Sequence, residues 1–168
     1  KLGNPGSFWK LYEIALDIAK DDDIFYFIED DYLHLPEAPS ALEEGLRYFD
    51  YVTLYDHPDK YKLHHGPVNP YAKRNQYSES TEVVAGPTQW WRTSNSTTMT
   101  FAVTGKTLKA DADIWSITKT AKKDFDFDNF CVITKQPMMA KSRYIKQIPR
   151  RLQFWSKPKR YLGISIPG

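Results

Sequence analysis

The chain has 168 residues, 41% apolar and 26% charged, which fits one soluble domain around one core and excludes a disordered, collagen-like or disulfide-scaffold protein. Its net charge of +2 conceals two opposed halves: residues 1–60 carry 14 Asp and Glu against 5 Lys and Arg, and residues 61–168 carry 7 against 18. A single cysteine, Cys131, rules out an internal disulfide and a cysteine-built zinc site. With no run of about 18 apolar residues and no signal pattern, the expected location is cytoplasmic, with peripheral membrane contact left open.

In chain order, Phe8, Leu11, Tyr12, Ala15, Ile18 and Ala19 recur at helical spacing, which predicts an amphipathic helix capped near Ser7. Asp21-Asp22-Asp23 reads as a turn. The apolar run Ile24–Ile28 is short and aromatic, as expected of a strand buried on both faces, and it stops on Glu29-Asp30-Asp31. Ser40 and Glu43 have capping-box spacing, predicting a helix that buries Leu42, Leu46 and Phe49. Tyr51–Tyr55 is a second inner strand. Strand, helix, strand predicts an α/β fold with a mostly parallel or mixed sheet flanked by helices.

Residues 57–80, with scattered Pro and Gly and with His57, His64 and His65, read as a long surface loop. Glu82–Ala85 and Met99–Val103 read as strands on either side of Trp90-Trp91-Arg92. Helical spacing follows over 106–121, and a last helix over Asp126–Lys135. Beyond it the pattern weakens into the basic C-terminal flank, 141–168. Lys141–Arg160 carries eight basic residues and no acidic one, interleaved with Tyr144, Ile148, Leu152, Phe154 and Trp155. That composition suits an anionic membrane surface or an acidic polymer, or a solvated basic flank. Pro149 and Pro158 argue against a continuous membrane-bound helix. The whole, 1–168, is expected to form a single domain.

The chemistry centres on the acidic triplet. Ligands of open α/β sheets sit outside the carboxyl ends of the strands, where Glu29-Asp30-Asp31 falls. Adjacent carboxylates repel one another, and a divalent cation relieves that repulsion; oxygen donors favour Mg²⁺ or Mn²⁺. A solvated acidic turn explains the same residues. Asp56 and His57, after the second strand, point to the same edge as a ligand or proton carrier, or form a plain Pro-led turn. Trp90 and Trp91 offer a sugar platform and Arg92 a phosphate partner. Adjacent tryptophans on a strand face opposite ways, so at most one lines a cleft. The hydroxyl-rich Ser94–Thr98 suits a sugar or a turn.

The strand Ile24–Ile28 running into Glu29-Asp30-Asp31 resembles the D-x-D motif of GT-A-type nucleotide-sugar glycosyltransferases, with Glu in the first position. The resemblance covers roughly residues 4–135 and implies a UDP- or GDP-sugar donor, a glycan, lipid-linked or protein acceptor, and Mn²⁺ or Mg²⁺. It implies Asp31 as metal ligand, Glu29 as ligand or ribose contact, and Asp30 as support. It also implies a catalytic carboxylate in the later acidic segment, where Asp126 and Asp128 are the candidates. Those residues equally suit an acidic helix N-terminus. Such domains begin with base-binding strands that have no counterpart after Lys1, so the domain is expected to be incomplete at its N-terminus. No His follows His65 to match members that finish the metal site with a C-terminal histidine. Two further readings use the same residues: a metal-dependent phosphoryl-transfer enzyme or nuclease, and a noncatalytic module binding an acidic partner. No specific nucleic acid is expected.

Overall fold

One six-stranded sheet organises the protein, seen here in a computed structural model that describes residues 3–57, 61, 80–98, 100–119, 125–136 and 141–166. The elements are α1 (Gly3–Ile18), β1 (Ile24–Phe27), α2 (Ala38–Gly45), β2 (Tyr51–Thr53), β3 (Val83–Ala85), β4 (Trp90–Ser94), β5 (Phe101–Thr104), α3 (Gly105–Ala110), α4 (Ala112–Ser116), α5 (Phe125–Ile133), α6 (Lys141–Gln153) and β6 (Leu162–Ile166). The strand order is β1-β5-β2-β6-β4-β3. Only β2 and β6 pair in parallel; the other four neighbours are antiparallel. The α/β class holds, but the sheet is mixed and not mostly parallel. β1 and β2 do run the same way, yet β5 is inserted between them in the opposite sense.

Side chains alternate across the sheet and divide the core in two. On one face Phe27, Tyr51, Phe101 and Val103 pack with Phe8, Trp9 and Tyr12 of α1, Leu108, Trp115 and Phe130. On the other, Val52, Trp91 and Ala102 pack with Leu42 and Phe49. Gly163 on β6 lies beneath Phe49, and a Cβ there would overlap the ring.

Several local expectations change. The stripe of α1 is centred on Phe8, Tyr12 and Ala15 and takes in Trp9, while Leu11 and Ile18 fall outside it and are exposed. The helix starts at Gly3, before Ser7, with Pro5 tolerated in its first turn. Ser40 is not a cap: Glu37 holds that position and the Ser40 hydroxyl donates to its carbonyl at 2.9 Å. β1 is an edge strand with Ile24 and Ile28 exposed, so it is not buried on both faces. The 106–121 segment forms two short helices, hinged at Asp111. Trp90–Arg92 belongs to a strand, and α6 continues through Pro149 where no helix is expected. Asp21–Asp23 is a turn, with the Asp21 and Asp23 carbonyls receiving the Lys106 and Gly105 amides. Most of the 57–80 loop, including His64 and His65, lies outside the described residues, as does Asp124.

Two buried carboxylates hold the layers. Asp111 accepts from Tyr51 Oη at 3.0 Å and from Arg160 Nε at 3.0 Å and Nη2 at 3.2 Å. Trp115 Nε1 donates to Tyr51 Oη at 3.2 Å, and Arg160 also reaches Asp50 at 3.2 Å. Burial pushes the Asp111 carboxyl above its usual range, with Arg160 and then Tyr51 drawing it part of the way back. On the opposite face, Glu44 of α2 accepts from Thr88 N at 3.2 Å, Thr88 Oγ1 at 2.6 Å and Trp91 Nε1 at 3.2 Å.

Asp111→Ala leaves Arg160 with Asp50 as its remaining carboxylate and removes the acceptor of the buried Tyr51 hydroxyl, so it is expected to lower the unfolding free energy by about 2–4 kcal/mol in urea titrations. A loss below about 1 kcal/mol would show that Arg160 escapes to solvent without penalty. The Thr88 hydroxyl, against the opposing effect of burial and with help from Trp91, holds Glu44 below its usual value of 4.5. A lowered folded pKa gives stability that is present above the unfolded value and lost as pH falls through the folded one. Stability is therefore expected to decline below about pH 4.5, and less steeply in Glu44→Gln. Equal acid slopes in the two proteins would remove Glu44 from this role.

Candidate functional site

The register places the carboxyl ends of β1, β2 and β6 on one edge of the sheet, together with the amino ends of β4 and β5. Backbone and side chains that leave β1 and β2 therefore meet there. Glu29 N donates to Thr100 Oγ1 at 3.1 Å, tying the end of β1 to the approach to β5. Glu29, Asp30 and Asp31 line a cleft of about 470 Å³ whose other walls are Ser7, Phe8 and Leu11 of α1 with Phe27 and Ile28. Asp30 and Asp31 are exposed and Glu29 is half-buried. That volume lies within the range of small-molecule and cofactor sites.

Among the described residues no group of three or more His, Cys, Asp or Glu side chains converges on one point. Consecutive residues leaving a strand point in diverging directions, so the triplet offers one or two oxygen donors and not a closed cage. This suits a hard cation that takes its remaining ligands from phosphate and water. Glu29 and Asp31 are the residues that would hold it.

Tyr32, next in sequence, joins the two strand ends. Its ring meets Tyr55 edge-on at 5.2 Å, and Tyr55 meets His57 at 4.5 Å. Burial, and then the charges of Glu29 and Asp31, push the Tyr32 hydroxyl up, with the Thr98 hydroxyl working the other way. The aromatic row was not a sequence expectation for the site. Its signal was an aromatic residue shortly past each strand, at Tyr32 after the acidic triplet and at Tyr55 just beyond β2.

Asp56 and Arg92, assigned separate roles from the sequence, pair with each other. Arg92 donates to Asp56 Oδ1 from Nε at 3.1 Å and Nη2 at 2.5 Å, and the side chains are 6% and 5% exposed. Tyr61 donates to Asp56 Oδ2, accepts from Arg92 Nε at 3.0 Å and lies 5.2 Å beneath the guanidinium. Arg92 is thereby a structural cation bridging β4 to the exit of β2. Trp91 is fully buried on the α2 face, which removes it as a platform, whereas Trp90 is 61% exposed on the Arg92 side of β4.

The Ser94–Thr98 run is not an exposed turn. β4 ends on the edge opposite to the one where β5 begins, so the connection crosses the sheet. Asn95, Ser96 and Thr97 are buried in it, and Cys131 Sγ of α5 donates to Asn95 O at 3.8 Å.

Asp126 and Asp128 occupy the first turn of α5, half-buried, with Asp128 Oδ2 3.9 Å from Arg150 Nη1. At the other end of this nine-residue helix, Ile133 O accepts from Arg160 N beside the start of β6. A helix of that length spans about 13 Å, which separates the acidic first turn from that contact. Comparison with known proteins returned no matching family model, no matching curated protein and no matching solved structure.

The Asp56 to Arg92 pair yields a double test. Asp56→Ala is expected to cost about 3 kcal/mol or more by removing the carboxylate that accepts from both Nε and Nη2 of the buried guanidinium, and Asp56→Ala with Arg92→Met to recover most of it. Should denaturant titration find the double variant no more stable than the single one, the two side chains do not act as a unit.

Proposed function

We propose that this chain is a metal-dependent glycosyltransferase of GT-A architecture that moves a sugar from a UDP- or GDP-sugar to a glycan, lipid-linked or protein acceptor. The observation that carries the reading is the acidic triplet at the end of β1, lining a ligand-sized cleft at the edge where β1, β2 and β6 terminate. Asp31 and Glu29 hold Mn²⁺ or Mg²⁺, with Asp30 in support; the ion's contribution is to neutralise the diphosphate so that it departs. Ser7, Phe8 and Leu11, in the second and third turns of α1, line the opposite wall.

Asp126 or Asp128 accepts the proton of the acceptor hydroxyl as the oxygen attacks the anomeric carbon. Their half-buried position in the first turn of α5 supports this role. Trp90 gives an exposed aromatic face against which the C–H surface of a sugar packs. The Asp56, Arg92 and Tyr61 network, with Tyr32, Tyr55 and His57, fixes the cleft's outer rim and does not bind the diphosphate directly. Among the described residues the cleft's lining holds no Lys or Arg, which favours this reading over a nuclease, whose substrate backbone requires a basic groove beside the metal.

Titration calorimetry with UDP and GDP is expected to show binding that requires Mn²⁺ and weakens about 10-fold or more in Asp31→Ala. Binding that is metal-independent, unchanged in the variant, or absent for both nucleotides would sink the assignment.

A further inference from the structure

The basic flank that sequence alone leaves without structure folds into α6, and this helix is strongly amphipathic. Ile145, Ile148 and Leu152, spaced three and four residues apart, form a stripe on one side of it, 64%, 39% and 66% exposed. Trp155, in the turn that follows, is 75% exposed, with Lys135 Nζ 5.7 Å from its ring centroid and donating to its carbonyl at 3.0 Å. Beside them a notch of about 180 Å³ is lined by Val132, Ile148, Leu152 and Phe154. The inner side of α6 is held by Arg151, which donates to the Cys131 carbonyl at 3.1 Å and to that of Gln136. The outward stripe is thus a built feature of a docked helix.

Charge selects the occupant. Along α6 the sequence has five Lys and Arg and no acidic residue, so a second copy of the same helix would meet like charge. A soluble acidic polymer would pair with the cations and leave Trp155, Ile145 and Leu152 in water. A surface that is anionic outside and apolar just beneath satisfies both halves of the pattern at once. We propose that α6 and Trp155 dock this protein in the interface of an anionic membrane, with α6 lying in the plane of the headgroups and Ile145, Ile148, Leu152 and Trp155 inserted below them. At 13 residues the helix is too short to span a bilayer, and no helix among the described residues is long and apolar enough to cross one. Pro149 lies on the exposed surface of the helix. The inference stands apart from glycosyl transfer, since none of its residues is in the cleft.

The test is sedimentation of the purified full chain with phosphatidylcholine vesicles, with and without about 30% phosphatidylserine. Binding is expected only to the anionic vesicles, weakening as salt rises from about 0.1 to about 0.5 M. Leu152→Ser with Trp155→Ser, two exposed positions, is expected to lower vesicle affinity about 10-fold or more while circular dichroism is unchanged. A second variant, Trp155→Phe, keeps the apolar area; it is expected to retain binding and to lose the blue-shifted emission that vesicles induce. Failure to sediment with anionic vesicles, equal binding by the double variant, or a dimer of the free protein by analytical ultracentrifugation would overturn the proposal. Heparin binding that survives the double variant, without vesicle binding, would reassign the face to an acidic polymer.

Discussion

The sheet depends on its last strand. β6 lies between β2 and β4, so without it the protein separates into a β1-β5-β2 ribbon and a β4-β3 hairpin. A strand that arrives last and must enter the middle requires a fixed starting point, and Arg160 supplies it two residues before Leu162. Its guanidinium is shared between Asp111, at the hinge of α3 and α4, and Asp50, just before β2. Backbone bonds from Asp50 N and Tyr51 N to Tyr161 O, at 3.0 and 3.1 Å, continue the clamp into the parallel ladder. Tyr51 and Trp115 cover Asp111 from the core side, so the ion pair, the aromatic cluster and the register of β6 form one unit. Buried charge is a costly way to join layers, and its advantage is geometric: a bidentate fork admits few alternative positions.

That unit explains what could and could not be read from the chain. β2 was legible because its burial is complete and its apolar run uninterrupted, and the acidic stop after β1 was legible because three carboxylates break any apolar pattern. β6 was not, since Leu162–Ile166 is five residues after a basic stretch, and a short apolar run carries no period of its own. α6 was hidden by Pro149, whose missing amide argues against a helix interior; the amphipathic packing overrides that local penalty. Ser40 and Glu43 had the spacing of a capping box, yet Pro39 fits the first turn of a helix and moved the start forward to Glu37. At the site, the opposed tryptophans followed from strand alternation alone. The pairing of Asp56 with Arg92 did not, because 36 residues separate them and only the non-local order of β2, β6 and β4 brings them together.

The divided charge of the sequence finds its account in the same topology. Arg92 with Asp56, Lys109 with Asp21, Lys119 with Glu13 and Arg160 with Asp50 each join a cation of the second part of the chain to a carboxylate of the first. The exposed pairs among them, Lys109 with Asp21 and Lys119 with Glu13, contribute little to stability. The buried or half-buried ones fix the relative placement of strands that are remote in sequence. The acidic triplet at the cleft is one charge population outside these four pairs, and the run of Lys and Arg along α6, of which Arg150 approaches Asp128, is another.

Those two populations are connected through α5. Its first turn carries Asp126 and Asp128, and Asp128 approaches Arg150 of α6 to 3.9 Å. Its last turn is fixed by Arg160 beside the start of β6. Helix α5 is therefore held at one end by the clamp that sets the sheet and at the other by the helix that faces outward. A lipid surface seated on α6 would orient the domain through this contact, together with Arg151 on the Cys131 carbonyl of α5 and Phe154, just past the helix, in the large cluster. For an acceptor carried in or near a membrane, the outcome would be a fixed angle between that surface and the acidic turn. Positioning of this kind raises the effective concentration of the acceptor at the cleft without any new contact to the sugar itself.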